Sequence, residues 1–347
     1  MTPADLSLTV LHAVRRAVDD GALRVDVPEN VKVERPRPGG LGDYASNVAL
    51  TLARAAGRPP LDVAAILRER LHPSPGIAAV DITGPGFLNF TLRGEAQQGL
   101  IREILRRGER YGRVGHTGQV AQPAYRADVR AAVTADAVRR ILLSQGYAVR
   151  TSCEDAADPA WADLGVRIEV QHSRGRLATD IAPLPVPYTA SELLARFGLD
   201  AARWGLLAAA AHDRAPLDDL LLRQHEDNPF FRVRYAHSRA RALVRNAEQL
   251  AFRSDARENV DAPALIRALG DHPAVLASAA RHRAPDRVAR HLEVVADALL
   301  DLQHTVLPLG DEKPSAAHRS RLALAEAAGV VLAGGLSLLG ISAPDQI

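Results

Sequence analysis

Between positions 228 and 247 the sequence reads NPFFRVRYAHSRARALVRNA, with three aromatic rings, Phe230, Phe231 and Tyr235, set among five arginines. Such rings can stack on unpaired bases and guanidinium groups can hold phosphates, so the mixture suits a single-stranded RNA loop. The pattern also fits an ordinary helix whose rings enter the core while its arginines form a solvated face. Asn228 and Pro229 are the residue types preferred at a helix cap and at the first helical position. A helix started there places Phe231, Tyr235 and Ser238 on one side, Arg234, Arg241 and Arg245 in a second row, and Arg232 and Arg239 in a third.

Other chemistry is sparse. The single cysteine, Cys153, supplies neither an internal disulfide nor a zinc cluster. The histidines His172, His212, His225, His237, His282, His291, His304 and His318 show no metal-ligand spacing with cysteine or paired acids, and most are expected on the surface. PGGLGDY (38–44) is glycine-rich but reads as a turn, not a phosphate loop.

The elements that position these residues follow from hydrophobic periodicity. A helix is predicted over 6–19, a strand over 31–34, helices over 45–56 and 61–71, and alternating strand residues over 80–92 around a Gly-Pro-Gly turn. These make an α+β domain. The middle is thinner: a helix over 131–145, strands over 148–151 and 165–171, and a proline-rich linker over 178–188. Beyond Thr189, turn signals at Gly198, Pro216, Pro229, Pro263, Pro273 and Pro285 punctuate about six or seven helices of a bundle, the last over 320–339.

Composition agrees with a multidomain globular chain. It has 347 residues, 47% hydrophobic and 24% charged, and a net charge of +2, which by itself demands no polyanionic partner. No window is expected to reach the apolar length of a membrane span, and residues 1–10 lack the basic start of a secretory signal, so the cytoplasm is the expected location. Lysine occurs only at Lys32 and Lys313.

Several segments resemble the arginyl-tRNA synthetase family. DNPFFRVRYAHSRARALVRNA resembles the helix that opens its anticodon-binding domain, matching at Asn228, Pro229, Val233, Tyr235, Ala236, His237 and Arg239. GLDAARW (198–204) resembles the Asp-Ala-x-Arg signature of that domain through Asp200, Ala201 and Arg203, and 285–308 and 322–344 resemble its last helices and tail. GDYASNVALTLAR (42–54) and GPGFLNFTL (84–92) resemble the N-terminal domain that packs on the outer corner of the tRNA. The resemblance implies D-loop contacts by Phe87 and Asn89, and anticodon-arm contacts by Asn228, Phe231, Arg234, Tyr235 and Arg239. The family's tyrosine and glutamine at two positions of the opening helix are Arg232 and Arg234 here, a change that keeps phosphate attraction while altering base reading.

The same family needs a His-x-Gly-His turn at a helix N-terminus and a lysine-bearing loop, both of which place donors where negative charge develops. Residues 120–150 resemble the surroundings of the first signature, yet the signature positions hold Tyr125, Arg126, Ala127 and Asp128. Asp128 is expected to repel ATP. Where the lysine loop belongs there is no lysine, and Arg174 and Arg176 are not interchangeable with it at a catalytic site. Residues 113–189 are too few for a doubly wound nucleotide fold.

The expected architecture is therefore an α+β N-terminal domain (1–112), a shortened α/β remnant of the catalytic core with a linker (113–190), and a DALR-type all-α helical bundle (191–347). The expected function is tRNA binding without catalysis, with no cofactor, metal or membrane. Two alternatives stand beside it: ligase activity through a rebuilt or partner-supplied site, and a protein-interaction module that reuses the RNA surfaces.

Overall fold

The computed structural model describes residues 3–34, 36, 41–71, 74, 76–92, 95–171 and 180–347. It divides into two compact units, Met1–Arg102 and Glu103–Ile347.

In the first unit, α1 (Pro3–Asp19) buries Leu6, Val10, Ala13, Val14 and Ala17, the stripe that a 3.6-residue period puts on one side. Strands β1 (Val33–Glu34), β2 (Tyr44–Ser46), β3 (Ile77–Thr83) and β4 (Phe87–Leu92) form an antiparallel sheet in the order β1-β2-β4-β3. Helices α2 (Val48–Ala56) and α3 (Pro60–Leu71) pack on it and on each other. The helix expected over 45–56 starts later because residues 44–46 pair with β4, a case of tertiary pairing overriding local preference. Gly86, in the β3–β4 turn, has φ 134, and a Cβ there would lie 2.9 Å from the Pro60 carbonyl oxygen.

Helix α4 (Glu95–Arg107) contains the boundary between the units. The domain end expected near 112 thus falls earlier, and 113–190 does not stand alone but belongs to the same compact unit as the bundle. Its strands are two residues long. β5 (Val120–Ala121) runs parallel to β7 (Ala148–Val149), and β6 (Ala124–Tyr125), β8 (Ser152–Cys153) and β9 (Val170–Gln171) form a second parallel set. Helix α5 (Val129–Ser144) makes the crossover and is buried on nearly every side by the helices that follow.

Those helices are α6 (Ala190–Leu207), α7 (Pro229–Gln249), α8 (Pro263–His282), α9 (Asp286–Leu302) and α10 (Ala316–Leu339). Five α-helices replace the six or seven expected, and two short 3-10 turns, Asp219–Leu222 and Gln303–Thr305, account for the surplus. Gly198 does break the helical path, kinking α6 at φ 73 and ψ 173. Pro273 does not interrupt α8. Its missing N–H leaves the Leu269 carbonyl without a helical donor, and the Tyr111 hydroxyl donates to that oxygen at 3.2 Å. Tyr111→Phe is expected to lower the unfolding free energy by about 1–3 kcal/mol; an unshifted urea midpoint would show that the carbonyl needs no partner.

The Tyr111 ring also stacks on His272 (centroids 5.9 Å apart), which stacks on His291 at 5.2 Å. Both histidines are buried, which corrects the expectation that His291 lies on the surface. Helix α10 corrects another expectation, being long and apolar enough to cross a membrane by length and composition. In this structure 78% of its apolar window is buried, as the core helix of the bundle.

Arg203, from the Asp-Ala-x-Arg segment, knits four elements together. Fully buried, it donates to Asp136 of α5 at 2.8 Å, to the Leu164 carbonyl at 2.6 Å and to the Leu339 carbonyl at 2.9 Å. Gly340 makes room for it: φ is 71, and a Cβ would come 2.5 Å from the guanidinium.

Candidate nucleic-acid interface

In the first unit β4 is flanked by β3 along its length, whereas β2 reaches only as far as Leu88. Phe87 therefore stands at an open strand end and is 39% exposed. Asn89, one pleat further in, lies opposite both Ala45 and Asp81, is 4% exposed, and donates its amide to Thr83 Oγ1 at 2.6 Å. Of the expected pair, only the ring is offered outward.

In the second unit α7 begins as its sequence predicts. Asn228 Oδ1 accepts from the Phe230 amide at 3.0 Å and its Nδ2 donates to the Arg223 carbonyl, leaving the side chain 1% exposed. Asn228 shapes the helix start and presents no contact group. Phe230, Val233, Ala236, Ala240 and Leu243 enter the bundle, with Phe230 against Trp204 at 5.9 Å. The outer side keeps Phe231 and Tyr235, whose rings stack at 5.5 Å and 17°, with Tyr235 36% exposed. One ring of the three thus lies in the core and two lie on the outer side.

The arginine rows are held by neighbours. Arg232 pairs with Asp297 of α9 at 2.9 Å, and Arg239 Nε donates to Gln303 Oε1 at 2.9 Å. Arg234 lies over the Phe230 ring at 5.2 Å and reaches Asp200 at 3.7 Å. Asp200 in turn accepts from the Ser342 amide at 3.0 Å, bringing the tail after α10 onto α7. There Arg241 Nε meets Asp345 Oδ1 at 3.0 Å, Arg245 and Ser238 donate to the Asp345 carbonyl, and the His237 ring lies 3.0 Å from the Pro344 carbonyl. No sequence signal pointed to Asp345, which lies about 100 residues from its partners. The exposed Arg241–Asp345 pair contributes little to stability.

Residues 125–128, the expected signature positions, sit where parallel strand β6 turns into α5, the geometry of a phosphate site. Its own residues close it. Asp128 caps α5, accepting from the Ala131 amide at 2.9 Å. Arg126 pairs with Asp128 and donates to the Pro183 carbonyl at 2.7 Å, and its amide donates to the Ile181 carbonyl at 3.2 Å. Tyr125 is buried beside Trp161, burial and the nearby Cys153 pushing its hydroxyl well above the usual range, while Ala127 is exposed. Arg130 donates to five backbone carbonyls, those of Leu184, Leu206, Ala209, Ala210 and Asp213. Burial raises the Cys153 thiol, so it is a poor nucleophile. Among the described residues no group of three or more His, Cys, Asp or Glu is placed to hold a metal. Arg174, Arg176 and His172 lie outside the described residues.

Comparison with known proteins places this geometry. The model of the arginyl tRNA synthetase N terminal domain matches residues 8–92, and that of the DALR anticodon binding domain matches 233–347. Arginine-tRNA ligases of Frankia alni and Renibacterium salmoninarum are 29% and 28% identical, each aligned over 100% of both chains. The Frankia alignment runs over 553 positions, to which this chain contributes 347 residues. Among solved structures, Thermus thermophilus arginyl-tRNA synthetase superposes with a TM-score of 0.70 at 16% identity, covering 100% of both chains. The Plasmodium falciparum enzyme does so with 0.66 at 8%, covering 99% of each. Matched at both ends by the family's own domains and along its whole length by its members, the chain belongs to the arginyl-tRNA synthetase family.

Proposed function

We propose that this chain binds tRNA and has given up the ligase reaction. The observation that carries the second half is the closed start of α5: the helix amide that should receive a phosphate is taken by Asp128, and the segment around Ile181 and Pro183 is tied to Arg126. No lysine lies anywhere between Lys32 and Lys313 to stabilise charge developing on the phosphates of ATP. The first half is supported by the outward rings, Phe87 in one unit and the Phe231–Tyr235 stack in the other, the latter bordered by arginine ion pairs. Translation being its setting, the cytoplasm is the compartment this reading implies.

The test is equilibrium binding of the purified protein to arginine tRNA and to an unrelated tRNA across a salt series, with ATP-pyrophosphate exchange measured in parallel. The expected result is preference for one tRNA, affinity that falls steeply with salt as counterions are released, and no exchange. Phe231→Ala with Tyr235→Ala is expected to weaken binding about tenfold or more, since base-aromatic stacking is worth about 1–3 kcal/mol per base, without lowering thermal stability. Failure to bind either tRNA at low salt sinks the RNA reading and favours a protein partner; measurable exchange sinks the loss of catalysis.

A further inference from the structure

The corner where α8 turns into α9 gathers cationic side chains. Arg281 and His282 close α8, where positive charge complements the helix dipole. Arg287 stands instead in the first turn of α9, at the positive end of its dipole, and Arg290 follows within the next turn. Between the helices Arg283 has φ 51, a left-handed conformation for which glycine is the default and which costs an arginine about 1–2 kcal/mol. Beside them lies a cleft of about 300 Å³, bordered also by His212, Thr134 of α5 and Pro183. Asp286, which lines the cleft, is engaged with Arg290, and the nearby Asp180 with Arg283. Arg281 has no hydrogen-bond or ion-pair partner among the described residues. Arg281 and Arg287 thus add positive charge that no carboxylate matches among the described residues, an arrangement that suits an anion.

We propose that this corner is a second phosphate-anchoring surface, holding the backbone of the same RNA whose loop meets α7. The inference rests on the RNA reading of α7 and extends its footprint. Helix α9 supplies the connection: Arg287, Arg290, Val294 and Asp297 are exposed along one side, and Asp297 is the partner of Arg232 on α7. From Arg287 to Asp297 the helix rises about 15 Å, so one strand laid on α7 reaches the corner within a few nucleotides. Glu293 and Asp297 lie between, so phosphates are held at the two ends and not along the middle.

The experiment compares the full-length protein with Arg281→Glu/Arg287→Glu, and separately with Phe231→Ala/Tyr235→Ala, in tRNA binding across the salt series. The charge reversal is expected to lower affinity at least about tenfold at low salt and to make the slope of log K against log salt shallower by about two. Arg287 Nη1 also donates to Ser278 Oγ at 2.9 Å, so Arg281→Glu alone is the structural control, with about half the slope change and an unaltered melting temperature. If the wild type binds and the charge reversal keeps its affinity and slope, the corner is overturned while the α7 reading stands. A loss of affinity without a slope change also overturns it, since that is structural damage and not lost phosphates. If the wild type binds no RNA, both fall together.

Discussion

Asp136→Asn is expected to cost about 3–5 kcal/mol of folding stability, because it removes the counter-charge of an arginine with no access to water. Arg203 is completely buried, and two of its three acceptors are carbonyls of Leu164 and Leu339, which carry no net charge. Arg139 at 3.2 Å and Arg140 at 2.8 Å also depend on Asp136, so one amide leaves three guanidinium groups sharing a neutral acceptor. Burial alone would push the Asp136 carboxyl up, but the charges and hydrogen bonds of Arg203 and Arg140 outweigh it and hold the carboxyl below the usual carboxylate range. Its contribution is therefore present above the unfolded carboxylate pKa and is lost as pH falls through the lower folded value. Denaturant unfolding at neutral pH is the measurement. Asp136→Leu with Arg203→Met should recover part of the loss, the shortfall reporting the two carbonyls left without donors. A single variant within about 0.5 kcal/mol of wild type would mean that Arg203 is solvated in a way this packing excludes.

Acidification over a milder range should destabilise the second unit through His272 and His291. Burial, and for His272 also the neighbouring His291, lowers these rings to about 3 and about 4 respectively. Unfolded, both titrate near 6.5, so as pH falls the unfolded chain takes up protons first. Their neutral, folded forms lose no stability above about pH 6.5; below it stability falls by up to roughly 1.4 kcal/mol per pH unit for each ring. By pH 5 the pair accounts for about 4 kcal/mol, a large share of ordinary domain stability. His237, lowered by its own burial, acts in the same direction. The Asp136 carboxyl, held below the usual carboxylate range, adds nothing to this dependence between pH 6.5 and 5. His291→Phe should flatten the dependence by about half. Equal denaturation midpoints at pH 7.5 and 5 would show that the rings are reached by water.

The sequence revealed elements whose information is local. The apolar stripe of α1 and the Asn-Pro start of α7 needed no partner to be read, and both form as expected. What escaped was set by distant pairing. β2 became a strand because β4 lies beside it, and the same register buries Asn89 while leaving Phe87 open. Pro273 looked like a break because the group that satisfies the Leu269 carbonyl, the Tyr111 hydroxyl, lies 158 residues away. His272 and His291 gave no signal because a polar residue in a helix says nothing of which neighbour will cover it. On α7 the rows of arginines were legible but not their partners, since Asp345 meets them only through the fold.

The grip of Arg203 on the Leu339 carbonyl, 136 residues later, also has a meaning in time. A ribosome adding about 5–20 residues per second needs on the order of ten seconds or more to travel between them. Through that interval α5 to α9 are made but lack α10, the helix they surround, and Arg203 has only part of its cage. The second unit must wait, with apolar faces uncovered, until nearly all of its length has emerged. A nascent chain stalled before α10 thus leaves uncovered the apolar faces of α7 and α9 that α10 packs against.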